Sequence, residues 1–491
     1  MSNKAIDRIL KFAQENPEAS AILCRAGSDF VHYSYASLVS RIADYAHLFN
    51  QFSPGARIAL LLDAGMEAYA ATLASIYSGV VFCPMDVHLP VGRVSYCLEQ
   101  LNPQLAIIKE GIEFPSSNMT VLTPKLIQAG KSLCPPRQHD SCYIIFTSGS
   151  TGQPKGVEIV LSAVDAFLSW AWSFYTISAG ERWAQFSSLG FDLSLVDILS
   201  CLPQGGTLVP FRAPVDRALP ARLVKKASVN IWHSVPSVVP LLAEYGRASL
   251  DSLSSLRLAT FCGEPLYPYH VKQLLALNAN ITICNTYGPT EATFFCSFNR
   301  LSPSDYQRQP AQSFSIGKPI PGWGFHLEKS NDQGLEELWI VSEFLGKGYI
   351  APTQDQERFT QLPIGNCTER AYRTGDLFCR SELNELVFSG RNDRQIKIRG
   401  HRLDLSEIEY QAMECGGSEA KAIASQYGVA LFVTISGKTK TELLASLSTT
   451  LPAYAIPTDV FLMDQLPRNL NGKIDSQKLQ SILSEVRHER E

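Results

Sequence analysis

Three glycines, four hydroxyl residues and one lysine are crowded into Thr147-Ser-Gly-Ser-Thr-Gly-Gln-Pro-Lys155-Gly156, directly after the apolar run Tyr143–Phe146. Glycines permit close backbone approach, hydroxyls donate hydrogen bonds and Lys155 adds a point charge, which together suit an anion such as phosphate. A P-loop would need Gly directly before the lysine and Ser or Thr directly after it. Pro154 and Gly156 stand there, so that mode is excluded, whereas a flexible surface loop stays open on composition. Further along, Asn285-Thr-Tyr-Gly-Pro-Thr-Glu291 reads by itself as a turn before a helix start. Asp192, in Phe191-Asp-Leu-Ser194, precedes an apolar run and reads by itself as a helix N-cap. Lys473, in Asn471-Gly-Lys473, is by itself an ordinary turn residue.

These residues need a scaffold, and the hydrophobic pattern supplies one. Arg57–Leu62 (strand), Ala64–Ser78 (helix) and Val80–Pro84 (strand) form the strand–helix–strand pattern of a parallel sheet. Similar alternation recurs over Val157–Trp172, Thr207–Pro210, Pro220–Lys226 and Val229–Val235. After about Ser315 the texture changes to short strands, at Ser315–Ile320, Leu338–Val341, Leu386–Ser389 and Gln395–Ile398. From about Asn392 a compact α+β unit is expected, with helices at Leu405–Met413 and Lys440–Leu447 around a strand at Val429–Ile435. The boundary is not rich in Pro or Ser, so a tight hinge is expected.

The chain has 491 residues, 43 Lys+Arg against 47 Asp+Glu and a formal net charge of -4, which argues against a general nucleic-acid binder. At 45% hydrophobic and 18% charged it is neither disordered nor collagen-like. Its 12 cysteines form no C-x-x-C pair, which fits reduced, buried thiols rather than zinc or disulfides. Ile6, Ile9, Leu10 and Ala13 suggest an amphipathic N-terminal helix in place of a signal peptide. Asp63 and Glu67 interrupt the most apolar stretch, so no membrane span is expected. The expectation is a soluble, cytoplasmic protein.

Taken in order, five stretches resemble the adenylate-forming superfamily of acyl-CoA synthetases, luciferases and the amino-acid-activating domains of nonribosomal peptide synthesis. They are Tyr143–Gly156, Asn285–Glu291, Tyr372-Arg-Thr-Gly-Asp376, Gly390–Arg402 and Asn471-Gly-Lys473-Ile-Asp. The resemblance implies an α/β chain with an N-terminal adenylation core over 1–391, made of two α/β subdomains plus a small β-barrel. It also implies a small, mobile α+β subdomain over 392–491. ATP and Mg²⁺ are the implied cofactors. Thr147, Ser148, Gly149, Ser150, Thr151 and Lys155 would hold phosphates, and Thr290 would touch the α-phosphate. Asn285 would bond the adenine amino group and Tyr287 would lie against the ring, with Gly263, Glu264, Pro265 and Thr286 also contacting nucleotide. Asp376 and Arg391 would hold ribose, Glu291 the metal, and Asp393 would be the hinge. Lys473 would be the mobile catalytic lysine.

By the same resemblance Asp192 pairs with the α-ammonium of an amino acid, a residue that fatty-acid and aryl-acid activators generally lack. The other pocket positions carried over are Leu193, Val196, His233, Thr260, Cys262, Thr286, Phe294 and Phe295. They imply a small neutral side chain or a compact ring; His233 is either a hydrogen-bonding group for a substrate hydroxyl or a wall residue. Thr260-Phe-Cys-Gly-Glu264 and Asp192-Leu-Ser-Leu resemble D-alanine–carrier-protein ligases. Ile231-Trp-His-Ser-Val-Pro-Ser-Val238 and Gly263-Glu-Pro-Leu resemble stand-alone L-prolyl–carrier-protein ligases. The chain departs from both at Phe294 and Phe295. Fewer than twenty residues follow Lys473 and none resembles a carrier attachment site, so the acceptor is expected in trans, as the phosphopantetheine thiol of a separate carrier protein. The basic residues Arg394, Lys397, Arg399 and Arg402 are either part of the thiol-delivery region or a solvated strand face. An acyl- or aryl-CoA synthetase and a non-catalytic nucleotide-binding member are the alternatives.

Overall fold

A computed structural model describes residues 4–115, 119–149, 153–246, 252–302, 305–307, 313–330, 334–351, 354–365, 367–398, 400–425, 428–468 and 474–488. The alternating pattern of the first two thirds folds into two largely parallel sheets. One has seven strands in the order Gly348–Tyr349, Lys155–Val160, Ser141–Thr147, Val81–Pro84, Arg57–Leu61, Leu105–Ile108, Thr120–Leu122. The other has nine: Lys318–Pro319, Ser297–Arg300, Thr282–Tyr287, Leu258–Phe261, Ile231–Ser234, Arg182–Gln185, Thr207–Pro210, Ser20–Ala26, Asp29–Ser34. Their central strands are short apolar runs buried along their length, as parallel strands covered on both faces must be. The helices Met66–Ser78 and Leu161–Tyr175 pack into the shared core, and Lys4–Glu15 buries Ile6, Ile9 and Ala13 there as its periodicity requires.

A five-stranded antiparallel sheet follows, from Gly324–Lys329, Glu336–Val341, Phe359–Ile364, Cys367–Arg380 and Leu386–Arg391, and corresponds to the expected small barrel. The strand expected over Ser315–Ile320 is reduced to Lys318–Pro319. Its physical cause is local: the Phe314 and Ser315 carbonyls accept from the Asn285 side-chain amide instead of from a neighbouring strand.

Past Arg391 the chain makes a two-stranded hairpin, Gln395–Ile398 with His401–Asp404. The helix Leu405–Glu414, capped by the Asp404 side chain on the Ser406 amide, follows it. A three-stranded sheet (Gly417–Ser425, Gly428–Ile435, Asp459–Leu462) and the helices Lys440–Leu447 and Ser476–His488 complete the segment, which builds two apolar clusters of its own. No helix among the described residues is long and apolar enough to cross a membrane. All 12 cysteines are free and most are buried.

Candidate active site

Three neighbouring parallel strands, Ile231–Ser234, Leu258–Phe261 and Thr282–Tyr287, end side by side. Val235, Cys262-Gly-Glu264 and Gly288-Pro-Thr-Glu291 follow directly from their carboxyl ends, the place where open parallel sheets form ligand crevices. From the other sheet comes the hydroxyl-rich loop that follows Ser141–Thr147. Together they enclose a cavity of about 600 Å³ whose wall includes Thr147, Ser148, Asp192, Cys262, Thr290, Phe294, Asp376 and Arg391. A narrow slot beside it is lined by Gly263, Glu264, Pro265, Asn285, Thr286 and Tyr287. Residues expected to contact nucleotide thus come together from distant parts of the chain. Ser150, Thr151 and Lys473 lie outside the described residues.

Asp192 occupies the N-cap position of the helix Leu193–Cys201, yet its side chain makes no capping hydrogen bond. It faces the cavity, 6% exposed, with Oδ2 lacking any hydrogen-bond partner. Burial pushes its carboxyl up to about 7; a Thr290 hydrogen bond opposes the shift and the charge of Glu291 reinforces it. The cap explanation of this residue therefore fails, because a capping carboxylate would have spent that oxygen on a backbone N–H.

Glu291 is equally buried and treated in the opposite way. Arg402 Nη1 donates to both of its oxygens, at 3.2 and 2.9 Å, Tyr349 Oη donates at 2.9 Å and Lys155 Nζ lies 3.7 Å away. Burial alone would raise this carboxyl, but Arg402 and Lys155 more than offset it and hold it well below the usual carboxylate range.

On the same cavity Asp376 accepts from Tyr287 Oη at 2.5 Å and from Arg391. Arg391 also reaches Asp393, at 2.7 and 2.8 Å, and Arg358 holds Asp393 from the other side at 2.8 Å. Burial would raise Asp393, and the two guanidiniums reverse that effect. The Asn285 amide is fixed by two carbonyls, and Thr286 donates to the Phe261 carbonyl at 2.9 Å.

The wall beside Asp192 is apolar. Phe294 stacks on Tyr143, with centroids 5.8 Å apart, and meets Phe167 edge-on at 4.8 Å. Thr293 and Phe294 both adopt φ +64°, a left-handed conformation that costs energy in a bulky residue. Gly288 makes the turn possible, since a Cβ there would stand 2.4 Å from Phe295 Cα. Leu193 and Cys262 reach the cavity, and burial pushes the Cys262 thiol up to about 11. Val196, His233, Thr260 and Phe295 do not form its wall, though all are fully buried. His233 Nδ1 pairs with Asp197 Oδ1 at 2.8 Å, and Trp183 Nε1 donates to the same oxygen at 3.1 Å.

The hairpin supplies what sequence reasoning had placed only loosely. Lys397 and Arg402 are cross-strand partners, so they share a face, and that face looks into the cavity. Lys397 Nζ lies 5.8 Å from the Tyr287 ring, and burial pulls its pKa down. Gly400 N–H donates to Glu264 at 2.5 Å; a Cβ at Gly400 would fall 2.2 Å from Val235 Cγ1, so only glycine fits this approach. His401 stacks on Tyr454 at 3.7 Å. Arg394 instead pairs with Glu409, and Arg399 lies outside the described residues. Tyr349, Tyr454 and Asp197 carried no sequence signal, because nothing near them in the chain marks them.

Residues 9–350 match the family model described as AMP-binding enzyme. Among curated proteins, the D-alanine--D-alanyl carrier protein ligase of Bacillus licheniformis is 27% identical over 97% of this chain and 99% of its own length. The ligase of the same name from Staphylococcus epidermidis is 28% identical over 96% and 98%. Among solved structures, the Vibrio cholerae adenylation domain AlmE in complex with glycyl-adenosine-5'-phosphate superposes with a TM-score of 0.82 at 22% identity, over 99% of this chain and 98% of that one. With a match over more than half of its length, the chain belongs to the AMP-binding enzyme family.

Proposed function

We propose that the protein uses ATP to activate a small neutral amino acid as its aminoacyl-adenylate and passes the acyl group to the phosphopantetheine thiol of a separate carrier protein. The observation that carries this reading is Asp192: a buried carboxylate with an unpartnered oxygen, aimed into the cavity. An ammonium ion is the ligand that such an acid lacks. A fatty or aryl acid would leave it uncompensated, which disfavours a CoA synthetase of either kind. The full-length relatives named for D-alanine favour that substrate over L-proline, and Phe294 limits the room beside Asp192 to a small side chain.

In the first half-reaction the substrate carboxylate attacks the α-phosphorus of ATP and pyrophosphate leaves. It needs no general base, because the carboxylate is already ionised at neutral pH. Asp192 would hold the ammonium, Thr290 the α-phosphate side, and Asp376 with Arg391 the ribose. Thr147, Ser148 and Lys155 would take the outer phosphates, with Lys473 steadying the carboxylate; positioning and charge stabilisation supply most of the acceleration. Glu291 fits Mg²⁺: it is a fully buried carboxylate at the phosphate end of the site, a hard oxygen donor, and Mg²⁺ would take its other ligands from phosphate and water. When bound, the ion would neutralise phosphate charge as pyrophosphate departs.

In the second half-reaction the thiol attacks the adenylate carbonyl and AMP leaves. Residues 392–491 would turn about Asp393, withdrawing Lys473 and bringing the 395–404 hairpin to the cavity, an arrangement that matches the contacts of Lys397, Gly400 and Arg402. Phe186, Val235, Leu241 and Tyr454 give the cavity an apolar side suited to a pantetheine arm. A cytoplasmic reaction, supplied with ATP, goes with this reading. Amino-acid-dependent ATP–pyrophosphate exchange with D-Ala, L-Ala, Gly, L-Pro, L-Ser and L-Thr tests the reading. Exchange with one or two of the smallest is expected; exchange only with large aromatic or charged substrates overturns it.

A further inference from the structure

The backbone on either side of His401 is clamped to the core. Before it, Gly400 N–H donates to Glu264 at 2.5 Å and leaves no room for a Cβ beside Val235. After it, the Arg402 carbonyl accepts from Ser148 Oγ at 2.8 Å. The imidazole between these anchors lies flat on Tyr454, with centroids 3.7 Å and planes 11° apart, and meets the Phe191 ring edge-on at 4.7 Å. Tyr454 belongs to the apolar side that suits a pantetheine arm. Phe191 directly precedes Asp192, whose unpartnered oxygen marks the ammonium end. All four side chains line the one cavity. His401 is thus held between the side that would admit the thiol and the end that would hold the amino acid.

Resting on the function proposed above, we infer that His401 is a further catalytic residue, the general base that takes the thiol proton in the second half-reaction. A free thiol ionises at about pH 8.5, so only a few per cent of it is thiolate at pH 7. As sulfur bonds to the carbonyl carbon of the adenylate, the S–H proton passes to a ring nitrogen of His401. The carbon–oxygen bond to phosphate then breaks, AMP leaves with the electron pair, and the imidazolium returns its proton to water. An imidazole has two ring nitrogens, so the protein can orient it through one while the other takes the proton. Other ionisable groups on the cavity have other work: Asp192 and Asp376 face the ammonium and the ribose, and Lys397 lies over the Tyr287 ring. The guanidiniums of Arg391 and Arg402 cannot accept a proton. The charged and titratable groups around the imidazole come from three sides. Behind the Tyr454 ring stand Arg93, Glu407, Cys97 and Asp86. Past Phe191 stands Asp192, and the hairpin itself brings Arg402, paired with Glu291, and the Gly400 contact with Glu264.

Thioester formation by the intact protein from supplied D-alanyl-adenylate and pantetheine, followed from about pH 6 to about pH 9, tests this. His401→Gln should slow the transfer about a hundredfold at pH 7. The ratio of native to variant rate cancels the titration of Asp192, which both proteins share. That ratio should fall about tenfold per pH unit between roughly pH 7 and 8.5, because the thiol then ionises without help. Trifluoroethanethiol, a more acidic acceptor, should narrow the gap at pH 7 for the same reason. His401→Phe keeps a ring against Tyr454 and Phe191, and should be as slow as His401→Gln. If the Phe variant transfers at the native rate, or if the ratio is the same at every pH, His401 is wall and not base; the inference is then overturned and the proposed function stands. If the native protein neither exchanges pyrophosphate with a small amino acid nor forms thioester, both fall.

Discussion

Asp192 and Glu291 are two buried carboxylates on one cavity, and the protein treats them oppositely. Asp192 has no cation from the chain, keeps an oxygen unpartnered and is pushed up to about 7. Glu291 is held by Arg402, Lys155 and Tyr349 and sits well below the usual range. The first is an open charge that waits for ligand; the second is a charge the chain fills itself when no ligand does. Burial is common to both, so it does not decide the role. What decides it is whether a neighbouring element delivers a counter-ion: the 395–404 hairpin brings Arg402 to Glu291 and the strand Lys155–Val160 brings Lys155.

The largest effect should come from the lysine proposed to steady the reacting carboxylate. Lys473→Ala should nearly abolish adenylate formation in pyrophosphate exchange, while thiol transfer from supplied aminoacyl-adenylate largely survives. Equal loss in both assays would end the idea that the tail and the hairpin serve the site in turn. Next comes Asp192→Asn. Losing the partner of a buried ion costs about 3–5 kcal/mol, so kcat/KM for the amino acid should fall roughly 200- to 5,000-fold with ATP affinity little changed. A fall below about tenfold would mean that the ammonium is not paired there.

The pH dependence separates the two acids further. Asp192 must be ionised to accept an ammonium, so kcat/KM should climb about tenfold per pH unit up to roughly pH 7 and then level. Glu291 should add no inflection in that window. Stability runs the other way. A carboxyl raised from about 4 to about 7 by burial stabilises the fold at low pH, and that contribution is lost as pH rises through 7. Asp192→Asn should therefore melt no lower than the native chain at pH 8. A lower melting temperature would show that the charged side chain is satisfied within the free protein.

Much of the scaffold was legible because its signal is local. The run Arg57–Leu61 alternates with the helix Met66–Ser78 just as buried parallel strands do with crossover helices, and the helix expected over Leu405–Met413 is found at Leu405–Glu414. The Ser315–Ile320 strand misled because its apolar pattern does not reveal that Asn285 claims the neighbouring carbonyls. At the site, Lys155, Glu291 and Asp376 were marked by the motifs around them. Tyr349 was not, and Arg402, though it closes the stretch Gly390–Arg402, carried no sign of its contact with Glu291. The spacing of Arg394, Lys397 and Arg402 fits a solvated strand face equally well, and only the fold says which side of the hairpin meets Glu291. His233 shows the converse: its type suggested chemistry, yet it is paired with Asp197 and stands off the cavity wall.

The smallest predicted effect concerns the wall beside Asp192. Phe294 is 1% exposed, wedged against Tyr143 and Phe167 in a left-handed turn. Replacing it by Ala removes a ring from the cavity wall that the open acid shares without touching the acid itself, so amino-acid recognition should survive while its size limit relaxes. One methylene in an apolar pocket is worth about 1–3 kcal/mol, so the kcat/KM of a valine- or leucine-sized substrate relative to alanine should rise roughly tenfold or more. Retained ATP binding would establish that the variant is folded, since a truncated buried Phe costs about 3–5 kcal/mol of stability. If the variant binds ATP but its preference among side chains is unchanged, Phe294 is core and not gate, and the selectivity resides in Leu193 and Cys262 on the same wall.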